Sequence, residues 1–230
     1  VLLSIDSSAG ASVALLGPEG VIASRRTSAT NTHAEWLAPA VQEVLSQAVL
    51  NHAVLNQAGV AVKELTGVVV GVGPGPFTGL RVGLALAHSL AEAWGLPLHG
   101  VCSLDALAYR LVRTAGDDTP KEFLVATDAR RHEIYWARYR SAQEAAVMLD
   151  GPHVSAADQA PALPVVGAGA GLYPEQLHPV ALDADVATWL PDAADLAMVA
   201  AAAGEGALRD PYPLYLRESD AQVPQQMRGR

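Results

Sequence analysis

The 230-residue sequence predicts an α/β protein made of two related lobes. Three observations carry this. Short β-type runs alternate with helical apolar periodicity along most of the chain. Leu3-Ser4-Ile5-Asp6, a turn, then Ser12–Leu15 is echoed by Val125-Ala126-Thr127-Asp128, a turn, then Ile134–Ala137. Each is an apolar strand ending in Asp and folding back as an antiparallel strand, the mark of an internal duplication. Half of the residues are hydrophobic and 17% are charged, which is enough to build a core and too apolar for disorder over the whole length. The expected lobes are residues 1–115 and 116–230, the second including a tail.

Leu2–Asp6 is an apolar strand closed by Asp6-Ser7-Ser8-Ala9-Gly10. Ala11–Leu16 and Val21–Arg26 follow as strands joined by Gly17-Pro18-Glu19-Gly20. Thr32 and Glu35 have capping-box spacing, and Leu37, Ala40, Val41, Val44, Leu45 and Ala48 give a helix one apolar face. Pro39 cannot donate to the Glu35 carbonyl, so a kink, or a helix that begins there, is expected. The near-repeat Ala48–His52 and Ala53–Gln57 reads as a local lengthening of the helix end. Leu65–Val72 is a buried strand running into the rigid Gly73-Pro74-Gly75-Pro76-Phe77-Thr78 turn. A second helix spans about Gly79 to Trp94, with Thr78 as N-cap, Gly95 as left-handed C-cap and Pro97 as a stop. On it Gly79, Gly83, Ala87 and Ala91 form a stripe of small residues that another backbone can approach closely. Leu98–Val101 is a strand and Leu104–Val112 a third helix. After a turn at Gly116–Pro120, Phe123–Asp128 and His132–Arg140 are strands around Ala129-Arg130-Arg131. Val147–Leu149 and Leu163–Val166 are further strands, and Ala193–Ala203 is a helix. The last 20 residues lack periodicity and read as a partly ordered tail.

The formal charge of −9 argues against nucleic-acid binding by the chain alone, because that binding rests on Lys and Arg neutralising phosphates. Cys102 is the single cysteine, so intrachain disulfides and multi-thiolate zinc sites are excluded. No basic leader precedes Val1–Asp6, and no stretch reads as a span of about 20 apolar residues, so the cytoplasm is the expected location.

Asp6-Ser7-Ser8 at a strand end has the chemistry to hold a phosphate or a hydrated metal. Asp128 takes the same place in the second half. The competing reading is a turn whose amides Asp and Ser satisfy by themselves. Gly167-Ala168-Gly169-Ala170-Gly171 lets a backbone approach either a ligand or a packed neighbour. Asp6, Ser7, Ser8, Asp128, Gly167 and Gly169 are thus the candidate nucleotide-binding residues. Gly71-Val72-Gly73-Pro74-Gly75 fails the dinucleotide spacing, since position 76 is Pro, and its prolines withhold amide donors. A helical metal pair needs two ligands one turn apart on one face, and His33 has Leu37 at i+4. No other histidine has useful spacing and no nucleophile signature stands out, so neither a metal, a cofactor nor catalytic residues are expected. Trp36 and Leu37, with the small-residue stripe, suggest an exposed apolar surface, against ordinary core packing.

Three stretches resemble the TsaB (YeaZ) family. They are Leu3–Ser8, His33 with Leu37 and Pro39, and the string Gly71-Val72-Gly73-Pro74-Gly75-Pro76-Phe77-Thr78-Gly79-Leu80-Arg81-Val82-Gly83. Asp128-Ala129-Arg130 with Glu133–Ala137, and Pro213-Leu214-Tyr215-Leu216-Arg217, are similar to the family's later segments. Pro76 stands where a serine is usual, and Val49–Val60 is lengthened.

The resemblance implies an actin-like, Hsp70-like ATPase (ASKHA) fold. It also implies a role in making threonylcarbamoyladenosine in tRNAs that read codons beginning with A. In that role the chain is a non-catalytic scaffold that binds and activates TsaD, a catalytic, metal-carrying paralogue. TsaE, an ATPase, joins the pair, and tRNA is met only through the complex. Two histidines four apart in the partner's metal motif correspond here to His33 and Leu37. The implied docking surface is the first two helices, packing as a four-helix bundle on TsaD or, in its absence, on a second copy. The expected contact residues are His33, Glu35, Trp36, Leu37, Val41, Gly79, Arg81, Gly83, Leu84 and Ala87. Two other readings stand beside this one: an actin-fold ATPase or kinase using the candidate nucleotide site, and a metallopeptidase-like protein.

Overall fold

The computed structural model describes residues 1–28, 33–56, 62–143, 145–202 and 207–217, the side chains of 48–56 and 62 excepted. β1 (Leu2–Asp6), β2 (Ala11–Gly17) and β3 (Gly20–Thr27) form an antiparallel meander. β4 (Gly67–Gly71) and β5 (Leu98–Val101) add in parallel on the other side of β1, giving the order β3-β2-β1-β4-β5. β1 and β4 are covered on both faces, so β4 is an unbroken apolar run and β1 buries even its polar residues Ser4 and Asp6. Leu3, Ile5, Val68 and Val70 face α1 (His33–Asn56) and α2 (Phe77–Trp94), which bury Leu37, Val41, Val44, Leu80 and Leu84 against them. Leu2 and Val69 face the opposite way.

The second lobe repeats this plan strand for strand. β6 (Glu122–Asp128), β7 (Glu133–Ala142) and β8 (Ala145–Ala156) are antiparallel, and β9 (Pro164–Val166) and β10 (His178–Pro179) add in parallel beside β6. The duplication read from the two Asp-ended strands is therefore present in the topology. α3 (Ser103–Ala115) leaves β5 but packs on the second sheet. α5 (Ala193–Ala202) leaves β10 but packs on the first sheet and against α3. α4 (Ala168–Leu172) lies against β6 and β9. Two mixed sheets cross-packed through a helix pair form the actin-like, Hsp70-like fold. Among the described residues no helix is long and apolar enough to cross a membrane.

Several elements differ from expectation. α1 is one helix from His33 through Pro39. Pro39 and Glu35 are both exposed, so water can take the carbonyl that Pro39 leaves without a donor. Thr32 and the end of the Ala48–Gln57 near-repeat lie outside the described residues. α2 begins at Phe77 with Pro76 as its N-cap, and Thr78 falls in the first turn. The proline ring holds φ at −58 with ψ 132, the non-helical geometry an N-cap needs. Gly95 does close α2 in the left-handed region (φ 64), with Gly95 N–H on Glu92 O at 3.2 Å and Leu96 N–H on Ala91 O at 2.9 Å. The expected partly ordered tail is, over 209–217, a strap pinned to the body, and 218–230 lie outside the described residues.

Candidate functional site

Side chains alternate along β1, so Asp6 shares the face of Leu2 and Ser4, away from α1 and α2 and toward the start of α3. Its Oδ1 accepts hydrogen bonds from Ser8 N–H (2.9 Å) and Ser8 Oγ (2.8 Å), and its Oδ2 accepts one from Ser103 Oγ (2.6 Å). Ser103 Oγ in turn accepts from Gly73 N–H at 3.2 Å. Asp6 is 1% exposed, and a side chain at Gly71 would run into its carboxylate. Burial pushes this carboxyl above its ordinary range, while the Ser103 and Ser8 hydrogen bonds pull it back. Ser7 Oγ donates to Gly79 O at 2.8 Å. The Asp6-Ser7-Ser8 segment is thus a capped turn whose carboxylate is engaged by its own chain.

The lobes enclose a cleft of about 700 Å³, lined by Ser8, His33, Thr78 and Gly79 from the first lobe and Asp128, Arg130, Ala168 and Leu190 from the second, among others. Of the candidate nucleotide residues, only Ser8 and Asp128 line it. Asp128 Oδ1 accepts from Arg130 N–H at 2.7 Å, and its Oδ2 lies 3.0 Å from the Arg130 guanidinium. A Cβ at Gly167 or Gly169 would strike the backbone of Ala126, so these glycines seat α4 on β6. Ala168 and Gly171, between and beyond them, are the residues that reach the cleft. His33 is 8% exposed, and its Nε2 has no hydrogen-bond partner among the described residues. Leu37, one turn on, is 1% exposed and offers an alkyl group in place of a second metal ligand.

On the outer helices the small-residue stripe points inward. A Cβ at Gly79 would meet Ser7 O at 2.9 Å and His33 Nδ1 at 3.3 Å, and one at Gly83 would meet Ser7 Cβ at 3.1 Å and its Oγ closer still. Gly79, Gly83, Leu84, Ala87, His33, Leu37 and Val41 are all buried within the protomer. They are core residues rather than the surface contacts expected of them. Of the ten expected contact residues, Glu35 and Arg81 are exposed and Trp36 is half-buried. Val82, Leu86 and Leu90 recur every four residues along α2 and are also half-buried. Sequence reasoning missed an aromatic cluster on the opposite flank of α2. Arg81 CZ lies 3.5 Å over the Phe77 ring, and its Nε donates to Tyr215 Oη at 2.9 Å. Tyr215 stacks on Phe77 with ring centroids 5.0 Å apart. The Phe77, Arg81 and Tyr215 spacing carries no signal of this, because the contact spans 134 residues of chain.

A family model described as TsaD, tRNA N6-adenosine threonylcarbamoyltransferase, matches residues 21–178. An uncharacterized protein of Mycobacterium leprae is 44% identical over 73% of this chain, which spans 43% of that protein's length. The Escherichia coli tRNA threonylcarbamoyladenosine biosynthesis protein TsaB is 30% identical over 60% of this chain and 54% of its own length. The chain thus spans about half the length of these relatives. Among solved structures, YeaZ from Pseudomonas aeruginosa superposes with a TM-score of 0.76 at 31% identity, covering 94% of this chain and 99% of that one. Near-complete coverage at that identity, on a shared fold, means that this chain belongs to the TsaB (YeaZ) family.

Proposed function

We propose that this protein is a non-catalytic subunit in the synthesis of threonylcarbamoyladenosine in tRNAs that read codons beginning with A. It binds and activates TsaD, the relative that performs the transfer. TsaE joins the pair, tRNA is met through the assembly, and in the absence of TsaD the chain pairs with a second copy of itself. The state of the candidate chemical residues supports this reading: Asp6 is buried behind the cleft wall and engaged by Ser8 and Ser103, and Leu37, in the core, stands where a metal pair needs a second ligand. Reconstitution with TsaD, TsaE, tRNA and threonylcarbamoyl-adenylate tests it. Transfer should require both this chain and TsaD. Transfer by this chain alone, or full activity of TsaD and TsaE without it, overturns the proposal.

The docking face is the outward side of α1 and α2, with Glu35 and Trp36 beside the half-buried row Val82, Leu86 and Leu90, and Arg81 at its far edge on the other flank of α2. The buried residues of the same helices support that face from beneath. Leu86→Glu places a charge in an apolar seam that a partner must desolvate, so affinity for TsaD should fall at least about tenfold. Because Leu86 is only half-buried in the protomer, the variant should still unfold cooperatively. Titration of purified TsaD with the variant reads the loss, and undiminished affinity removes this face from the interface.

A further inference from the structure

The chain from Arg209 to Arg217 returns from α5, crosses the first lobe and ends on the second. Arg209 and Gly100 exchange two backbone hydrogen bonds, at 2.8 and 2.9 Å. His88 Nε2 donates to Pro211 O at 2.8 Å. Leu214 N–H donates to Val72 O at 2.8 Å, and the Leu214 side chain packs against both the α1–α2 core and the α3–β6 core. Tyr215 then sits on Phe77 and Arg81 at the first turns of α2. Two residues later Arg217 Nη1 donates to Ala129 O at 2.8 Å, and Nη2 donates to the Glu133 carboxylate.

These two seats adjoin opposite walls of the cleft. Pro76 and Thr78, the neighbours of Phe77, line the first-lobe wall, and Asp128 and Arg130, beside and within the Ala129–Glu133 turn, line the second-lobe wall. The gripped turn has an unusual backbone. Arg130, Arg131 and His132 have φ of 60, 57 and 62, a region that residues with a Cβ disfavour. Arg217 takes hold of both its ends, Ala129 and Glu133. Arg26 and Asp192 also pair between the lobes, at 3.7 Å, and the helices α3 and α5 pack between the sheets and contribute no residue to the cleft wall. These helices form a buried joint, whereas the strap fastens the rim. The fastening is also near the surface: Tyr215 is 44% exposed, and the Arg217 and Glu133 side chains are 27% and 36% exposed.

We propose that Leu214–Arg217 is a releasable interlobe latch, which holds the cleft at one width and makes the two lobes move as one body while Tyr215 and Arg217 stay seated. Spin labels on Glu35→Cys in α1 and Glu175→Cys beyond α4, both exposed positions, report the separation of the lobes. Cys102 is fully buried, and burial pushes its thiol far above the ordinary value, so it takes no label. Dilution with unlabelled protein removes distances between copies. With the latch intact, pulsed dipolar spectroscopy should give one narrow distance distribution. In Tyr215→Ala/Arg217→Ala the distribution should at least double in width, with new population at longer distances. Arg217→Gln alone removes the grip on Ala129 and Glu133 while keeping the Leu214 anchor, so it should broaden the distribution even if the double variant does not fold. A folded Arg217→Gln protein with an unchanged distribution overturns the latch, as does an equally broad distribution in the parent chain.

Discussion

Gly83→Asp should abolish folding rather than merely block docking. A Cβ at this position meets Ser7 Cβ at 3.1 Å and its Oγ more closely, with Ile5 Cγ2 at 3.7 Å beyond. Ser7 cannot turn away cheaply, because its Oγ donates to Gly79 O at 2.8 Å in a buried setting. Overpacking costs about 1–3 kcal/mol. An unpaired buried carboxylate adds about 3–5 kcal/mol. Together these approach the whole stability of a typical domain, about 5–15 kcal/mol. Circular dichroism and urea unfolding of the purified variant are the measurements. A Gly83→Asp protein that unfolds with a near-parental midpoint would mean that α2 does not lie on β1 as described. The contrast with Leu86→Glu matters, since the two positions are three residues apart on one helix. One change should remove the fold and the other only the partner.

The position of Gly83 also marks where sequence reasoning stops. Gly79, Gly83 and Ala87 announce a close approach, and that much was legible. The approaching element was not, because the β1 turn of the same chain and a helix of another chain both fit a stripe without side chains. Strands with strong local signals were readable within a residue or two: β1, β4 and β6 are apolar runs ending in turn residues, and Gly95 and Pro97 mark the end of α2. β8 was legible only at Val147–Leu149, although it extends over Ala145–Ala156, because Gly151-Pro152 interrupts its alternation. The strap was illegible for a different reason. Its residues conform to an irregular groove, using three backbone bonds, one leucine, one tyrosine and the Arg217 guanidinium, and no period joins them. Behind the cleft wall, Asp6 is legible as the end of a strand, but its engagement by Ser103, 97 residues away, has no local signature.

Asp105→Asn should stabilise the protein above neutral pH and flatten its acid limb. Asp105 lies in the first turn of α3, facing the second sheet, where its Oδ1 accepts the Tyr139 hydroxyl at 2.7 Å. Burial pushes its carboxyl up to about 6, with the Tyr139 hydrogen bond and the Arg209 charge opposing that rise. A carboxyl raised in the folded state binds its proton more tightly there than in the unfolded chain. Its favourable contribution is therefore complete below about pH 4 and is lost as pH rises through about 6. A shift from 3.8 to about 6 corresponds to about 3 kcal/mol of stability lost over that window. Asparagine keeps an acceptor for Tyr139 and carries no charge to desolvate. Urea unfolding of parent and variant should therefore agree near about pH 4 and diverge by up to about 3 kcal/mol, in favour of the variant, by about pH 8. Parallel stability profiles across that range would mean that Asp105 is better solvated or more fully paired with Arg209 than its place beside Tyr139 and the Cys102 thiol implies. A variant less stable at every pH would mean that the carboxylate is wanted charged, as one half of a working ion pair between α3 and the start of the strap.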